Sequence, residues 1–281
     1  MGFKSTKLSI SIPAICVRLL IYICALALLG STARAGSETS SALLGVSPAS
    51  STNPPFIVVG FLGGFVTHDE PHHPEVQLIQ DLRQEYPKDV YFGLFENRRV
   101  GEAYKTILKQ LDSKEEGTPL EDKKRRARVV LFGHSWGASA VVALSRKLER
   151  AGIPVALTIQ IDSVAKPFQN DWLIPPNVLQ AVNFYQTHGL IHGRRKIVPA
   201  DPVHTTILGN FLWENKGQAA ECHGFSWRSR LLGKGHTEIE CDRKVWWQVK
   251  TLLRRHLAAP AQTETDTDKL RLSEDLSASR N

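Results

Sequence analysis

Short apolar runs alternate with amphipathic stretches through the middle of the chain. "FIVVG" at 56–60, "VYFGLF" at 90–95, "RVVLFG" at 128–133, "PVALTIQID" at 154–162 and "AVNFYQ" at 181–186 are rich in Val, Ile and Phe and bounded by turn residues. That pattern predicts buried strands. Between them, Val76, Leu78, Ile79 and Leu82 recur at near-helical spacing, as do Ala103, Ile107, Leu108 and Leu111. A third helix is predicted from about Gly137 to Arg150. Strands separated by helices imply βαβ units and a mostly parallel sheet.

The rhythm breaks over 163–180 and again over 187–235, which are rich in Pro, Gly, Trp and His. Irregular stretches of that length inside an α/β body usually cover something. A small irregular cap over a cleft is expected, with Trp172, Phe211, Trp213 and Trp227 as its apolar surface. The basic run from Lys123 to Arg128 stands just before a strand and is expected to be a solvated loop. No internal repeat is present.

The ends follow different rules. Lys4 and Lys7 precede an apolar run from Leu19 to Leu29, and Ala33-Arg34-Ala35 supplies small residues at a cleavage point. This order of regions predicts a signal peptide over 1–35, its apolar run falling short of the ~20 residues of a membrane span. Export to a secreted or periplasmic location is expected, with an uncleaved N-terminal membrane anchor as the alternative. Residues 36–54, rich in Ser, Thr, Gly and Pro, are expected to be a flexible linker, and the polar stretch 259–281 a disordered tail. The folded body is then 55–258, large enough for a substantial core in a chain of 281 residues that is 42% hydrophobic and 22% charged.

The leader also changes the charge and cysteine pictures. It takes four of the 35 Lys and Arg residues and none of the 28 Asp and Glu, so the formal excess falls from +7 to +3. No concentrated basic face with aromatic platforms remains, and a nucleic-acid partner is not expected. Cys16 and Cys24 fall inside the leader, leaving Cys222 and Cys241. An even pair in an exported chain predicts a disulfide, which would brace the segment containing His236.

The candidate chemistry centres on Gly133-His134-Ser135-Trp136-Gly137, between an apolar strand and a helical segment. A serine hydroxyl becomes a useful nucleophile when it is exposed, given a base and provided with donors for the oxyanion. A Gly-x-Ser-x-Gly bend between strand and helix exposes it, and the flanking glycines avoid collisions. With strand before and helix after, these residues resemble the α/β-hydrolase superfamily, in particular its lipase-like and esterase-like members, over about 56–256.

The resemblance implies an α/β-hydrolase fold and assigns further residues. One oxyanion donor would be the N–H of Trp136. The second would come from "VVGFLGGF", where Val59-Gly60-Phe61 stands in place of the His-Gly pair of many lipases, making Phe61 the implied donor. His236, ahead of a last helix carrying Val245, Val249, Leu252 and Leu253, has the place of the base. Asp162, directly after a strand, is the favoured acid and Asp201 the alternative. Purely local roles are also open to them: capping a turn with Ser163 for Asp162, and an Asp-Pro turn for Asp201. His204, His223 and His256 are less well placed. His68, His72 and His73 stand among prolines that break a metal-binding i,i+4 spacing; they are expected to form a polar loop at the cleft rim, with His68 or Asp69 within reach of substrate. No metal or organic cofactor is expected.

The implied activity is hydrolysis of a carboxylic ester, small or lipidic, through an acyl-enzyme. A thioesterase or amidase on the same triad is an alternative, as is a non-catalytic protein that holds a ligand in a hydrolase fold. No oligomeric state follows from the pattern.

Overall fold

The computed structural model describes residues 56–86, 88, 90–113, 117–188, 190–214 and 234–258. All of them belong to one compact unit, Ser50–Asn281. The leader, linker and tail expected at the two ends lie outside the described residues, as do His223 and Trp227.

The first half of the body is built of βαβ units. Strand β1 (Phe56–Leu62) leads through helix α1 (Pro74–Glu85) to β2 (Val90–Glu96), and helices α2 (Val100–Ser113) and α3 (Leu120–Arg126) lead on to β3 (Arg128–His134). Helix α4 (Trp136–Arg150) follows, then β4 (Val155–Ile161), the short β5 (Leu173–Ile174), β6 (Val178–Tyr185), the short β7 (Val198–Pro199) and β8 (Thr206–Leu212). Helices α5 (Lys234–Cys241) and α6 (Arg243–Ala258) end the body. The main sheet is parallel throughout, in the order β2-β1-β3-β4-β6-β8. β5 and β7, from the connections after β4 and β6, pair as a separate two-stranded insertion.

Alternation along each strand sends side chains to two cores. Phe56, Val58, Val130, Phe132, Leu157 and Ile159 pack beneath α1 and α6, whereas Ile57, Val59, Val129 and Leu131 pack beneath α2 and α4. Both faces of the central strands are therefore buried, which is why their sequences are continuous apolar runs rather than alternating ones. Helix α1 begins at Pro74, whose fixed φ suits a first turn, and its Leu78, Ile79 and Leu82 form the apolar stripe.

Several sequence expectations change here. The run at 123–128 is not a loop: residues 120–126 form α3, with Lys124 paired to Glu121 and Arg125 to Asp122 one turn away, and Lys123 buried with its Nζ on the Asp112 carbonyl at 2.9 Å. The segment 187–235 is not all cap, because β8 lies inside it. Phe211 consequently stacks on Phe184, with ring centroids 5.6 Å apart, and Trp213 is buried in the α1/α6 core. Trp172 is exposed beside β5.

The expected Cys222–Cys241 disulfide lies partly outside the described residues. Cys241, the last residue of α5, is the sole cysteine among the described residues. Cys222 lies outside them.

Candidate active site

The sheet delivers the nucleophile at its C-terminal edge. Chain direction reverses between β3 and α4 at Ser135, which adopts φ 57° and ψ −125°, a left-handed conformation rare for a residue with a side chain. The turn is tight enough to dictate its flanks. A Cβ on Gly133 would lie 2.6 Å from the Gly137 carbonyl carbon, and one on Gly137 would lie 2.2 Å from the Phe61 oxygen. Both positions are restricted to glycine by backbone that cannot move aside.

His236 projects from the first turns of α5 into the space above Ser135. Its Nε2 is 2.8 Å from Ser135 Oγ and its Nδ1 is 2.6 Å from Asp162 Oδ2. An ionised carboxylate only accepts, so Nδ1 carries the ring proton and Nε2 is left to receive the serine hydroxyl. The three side chains form a Ser-His-Asp triad arrangement. Asp201, the alternative acid, is elsewhere: it is exposed, pairs with His204 at 2.7 Å and accepts from the Val203 N–H at 2.9 Å.

Asp162 leaves β4 with φ 42° and is fully buried. Every approach to it is filled by a donor. Besides His236, Gln186 Nε2 donates to Oδ2 at 2.8 Å, Gly193 N donates to Oδ1 at 2.7 Å and the Gln186 N–H reaches Oδ1 at 3.4 Å. Burial alone would raise the carboxyl pKa; His236, Gln186 and Gly193 outweigh it and hold Asp162 below its ordinary value. Gly193 is compelled by this contact, because a Cβ there would lie 2.2 Å from the Asp162 carbonyl carbon. The loops beyond are stitched together by Asp171, which accepts from Ser163 Oγ at 2.7 Å and Arg194 Nε at 2.8 Å.

The opposite wall is the turn after β1. Phe61 remains within β1, opposite Phe95 on one side and Gly133 on the other, and the pairing with β3 ends there. Gly63 is the residue set against the nucleophile, its Cβ position lying 3.1 Å from Ser135 Cβ. Asn97 Nδ2 donates to the carbonyls of Leu62 at 3.2 Å and Gly64 at 2.6 Å, which fixes this turn. Trp136 follows the serine directly. Phe65, 80% exposed, meets the Trp136 ring edge-on at 5.5 Å, and Lys166 Nζ lies 5.5 Å above it while donating to Asn97 Oδ1.

Behind His236 lies a buried polar cluster that the sequence did not announce. The His134 ring is 4.6 Å from the His236 ring, and His134 Nδ1 is 3.4 Å from Glu240 Oε2. Glu240 Oε1 is 2.7 Å from His73 Nδ1, and Glu75 completes the group. Burial, reinforced by the neighbouring His236, pushes His134 down to about 4, so a second positive ring does not face His236. Burial and the charge of Glu240 push Glu75 up to about 8. His73 is therefore not at the rim as expected. His68 is exposed and paired with Glu96 at 3.0 Å, and Asp69 is exposed in the same loop.

Gln186, Gly193, Gly63 and Glu240 had escaped the sequence reading. Glu240 did carry a signal, since it follows His236 by four residues and shares its helical face. That spacing has meaning only within a helix, and the sequence pattern placed His236 merely ahead of the last one. Gly235, beside it, is required by a close approach: its Cβ would lie 2.6 Å from Gln186 Oε1.

No protein-family model matches the chain and no curated protein sequence matches it. Among solved structures, an uncharacterized protein from Pseudomonas aeruginosa is 11% identical over 79% of this chain and 53% of its own, with a TM-score of 0.38. The chain thus spans about half the length of that protein. A candidate cell surface hydrolase from Lactobacillus plantarum is 10% identical over 79% of this chain and 98% of its own, also at 0.38. An acetyl xylan esterase is 10% identical over 67% and 99%, at 0.29. The fold itself is α/β-hydrolase-like. It rests on the parallel sheet order, the strained serine at the β3–α4 turn, and an acid and a histidine that follow it in chain order.

Proposed function

We propose that this protein is an exported serine hydrolase that cleaves carboxylic esters through an acyl-enzyme. One observation carries the reading: a single imidazole spans Ser135 Oγ at 2.8 Å and a buried carboxylate at 2.6 Å, with the serine at a strand-to-helix bend. A mere fold stabiliser has no need for a strained, base-paired hydroxyl.

In the proposed mechanism His236 Nε2 takes the Ser135 proton as Oγ attacks the ester carbonyl. Asp162 fixes the ring tautomer and stabilises the imidazolium. Trp136, at the first position of α4, offers a main-chain N–H that the helix itself does not use. The second oxyanion donor is better assigned to the main chain at Leu62–Gly63 than to Phe61, because β1 pairing with β3 stops at Phe61 and Gly63 lies against Ser135. Each such donor is worth roughly 3 to 4 kcal/mol at the transition state. His236 then protonates the leaving alkoxide, and water repeats the sequence to release the acid. The Phe65–Trp136 aromatic pair at the mouth favours an apolar group on one side of the ester. The basic-apolar-small leader supports export, and no helix among the described residues is long and apolar enough to cross a membrane.

The test is covalent labelling of the mature chain with a fluorophosphonate, with the adduct located by peptide mass. An adduct on Ser135, absent in His236→Ala, is expected, together with turnover of aryl esters well above that of matched amides. Folded protein that neither labels nor turns over esters would overturn the proposal and leave a ligand-holding protein in its place.

A further inference from the structure

We propose that His73, Glu75 and Glu240 form a divalent-cation site of the zinc class, which ties the start of α1 to the helix that carries His236. One donor atom from each of the three residues lies within 4.8 Å of the others, and all three side chains are buried. An imidazole nitrogen with two carboxylate oxygens suits zinc, which binds such atoms at about 2.0–2.2 Å. Donors around a tetrahedral cation then stand roughly 3.4 Å apart, so side-chain rotation of about an ångström closes the set.

A cluster of acids alone would not indicate a ligand. The independent observation is Glu75. It is 0% exposed, and neither of its oxygens has a hydrogen-bond partner beyond its own main-chain N–H among the described residues. Leaving a buried carboxylate without donors is among the costlier arrangements a core can hold. One bound divalent cation would neutralise Glu75 and Glu240 together. His134, 3.4 Å from the other Glu240 oxygen and with both ring nitrogens lacking a hydrogen bond, stands where an outer partner of a ligating carboxylate belongs.

The placement gives the site a consequence. Glu240 and His236 are one turn apart on α5, and His73 and Glu75 open α1, which follows the loop running from β1 past Ser135. A cation here would fix the base-bearing helix against the wall of the cleft without touching substrate. The sequence hid this set, because its third ligand is separated from the others by 165 residues or more and the local His68-His72-His73 group is interrupted by prolines.

The test is zinc binding by the full chain, stripped with chelator, desalted and titrated calorimetrically, with metal content counted after removal of excess zinc. One equivalent per chain is expected, weakened ~100-fold or more in Glu75→Gln, with zinc at about 100 times Kd raising Tm by roughly 5–10 °C in the wild type and not in the variant. Ser135→Ala should bind zinc as the wild type does, so the result stands apart from the hydrolase reading. Circular dichroism checks that Glu75→Gln is folded; if it is not, His73→Gln and the visible spectrum of the cobalt-loaded wild type supply the comparison. Absence of a stoichiometric cation in the wild type, or equal retention in the folded variants, would overturn the proposal and leave a proton shared between the two carboxylates.

Discussion

Asp162 and Glu75 are both fully buried carboxylates connected to helix α5, yet their surroundings are opposite. Asp162 receives donors from His236, Gln186 and Gly193, from three separate segments, and these hold it ionised below its ordinary pKa. Glu75 has no donor beyond its own main-chain N–H among the described residues, and burial with the nearby Glu240 pushes it up to about 8. Depth is the same in the two cases, so burial does not decide the charge state; the supply of donors does. The satisfied carboxylate is ready to orient a base, and the unsatisfied one is ready to take up a positive charge.

The comparison breaks most severely if the charge of Asp162 is removed while its shape is kept. Asn tolerates the left-handed backbone at this position, where φ is 42°, so Asp162→Asn should fold. Its amide favours the wrong His236 tautomer, and kcat for an aryl ester should fall by about 10⁴-fold. A drop of less than ~10-fold would show that the surrounding donors do not serve an orienting anion. The pH dependence follows from the sign of the shift. Because the folded pKa of Asp162 is lowered, its stabilising contribution is complete above the unfolded value of about 3.9 and is lost only as pH falls through the lower folded value. The acid limb of kcat/KM should therefore not follow the Asp162 carboxylate.

A smaller effect is expected from the donors themselves. Gln186 touches neither serine nor histidine; it donates to Asp162 Oδ2 and to the Ile191 carbonyl, and accepts from the His188 N–H at 2.5 Å. Gln186→Leu removes one hydrogen bond to a buried charge, worth about 1.5–3 kcal/mol, which corresponds to a loss of roughly 10- to 100-fold in kcat. KM should hold, since the residue positions the acid and touches neither serine nor histidine. Equal changes in kcat and KM would place Gln186 in substrate binding instead.

The sequence revealed the side of this comparison that depends on regular structure. β1, β3 and β4 are buried on both faces and therefore appear as unbroken apolar runs, and the Gly133–Gly137 turn follows from where β3 ends. Asp162 was legible because it comes directly after β4. β8 was not: as the last strand of the sheet it is half-buried along its whole length, and its Gly209-Asn210 pair reads as a turn. α5 went unread because His236 was placed only ahead of the last helix; its Gly235 serves a close approach to Gln186. With α5 unseen, Glu240 had no face to share with His236. The unsatisfied cluster was out of reach for a further reason, since an absence of donors is a property of the packed interior.

The weakest effect comes from moving a well-supplied carboxylate to the surface. Glu85, at the end of α1, accepts from Arg254 Nε at 2.9 Å and Nη2 at 2.7 Å and pairs with Lys250 at 2.9 Å, which lowers it to about 2 through the Arg254 contacts above all. These donors approach about as closely as those of Asp162, but solvent screens them and long side chains must be ordered to make them. Glu85→Gln should therefore cost only about 0.5 kcal/mol at pH 7. The sign follows from the lowered pKa: the contribution is whole above the unfolded value of about 4.3 and fades as pH falls toward 2. Urea midpoints of wild type and variant should thus differ slightly at pH 7 and draw together as pH falls below 4. A gap that persists into acid would mean that Glu85 stabilises by packing its chain on α6, and donor supply would then not be the property that separates these carboxylates.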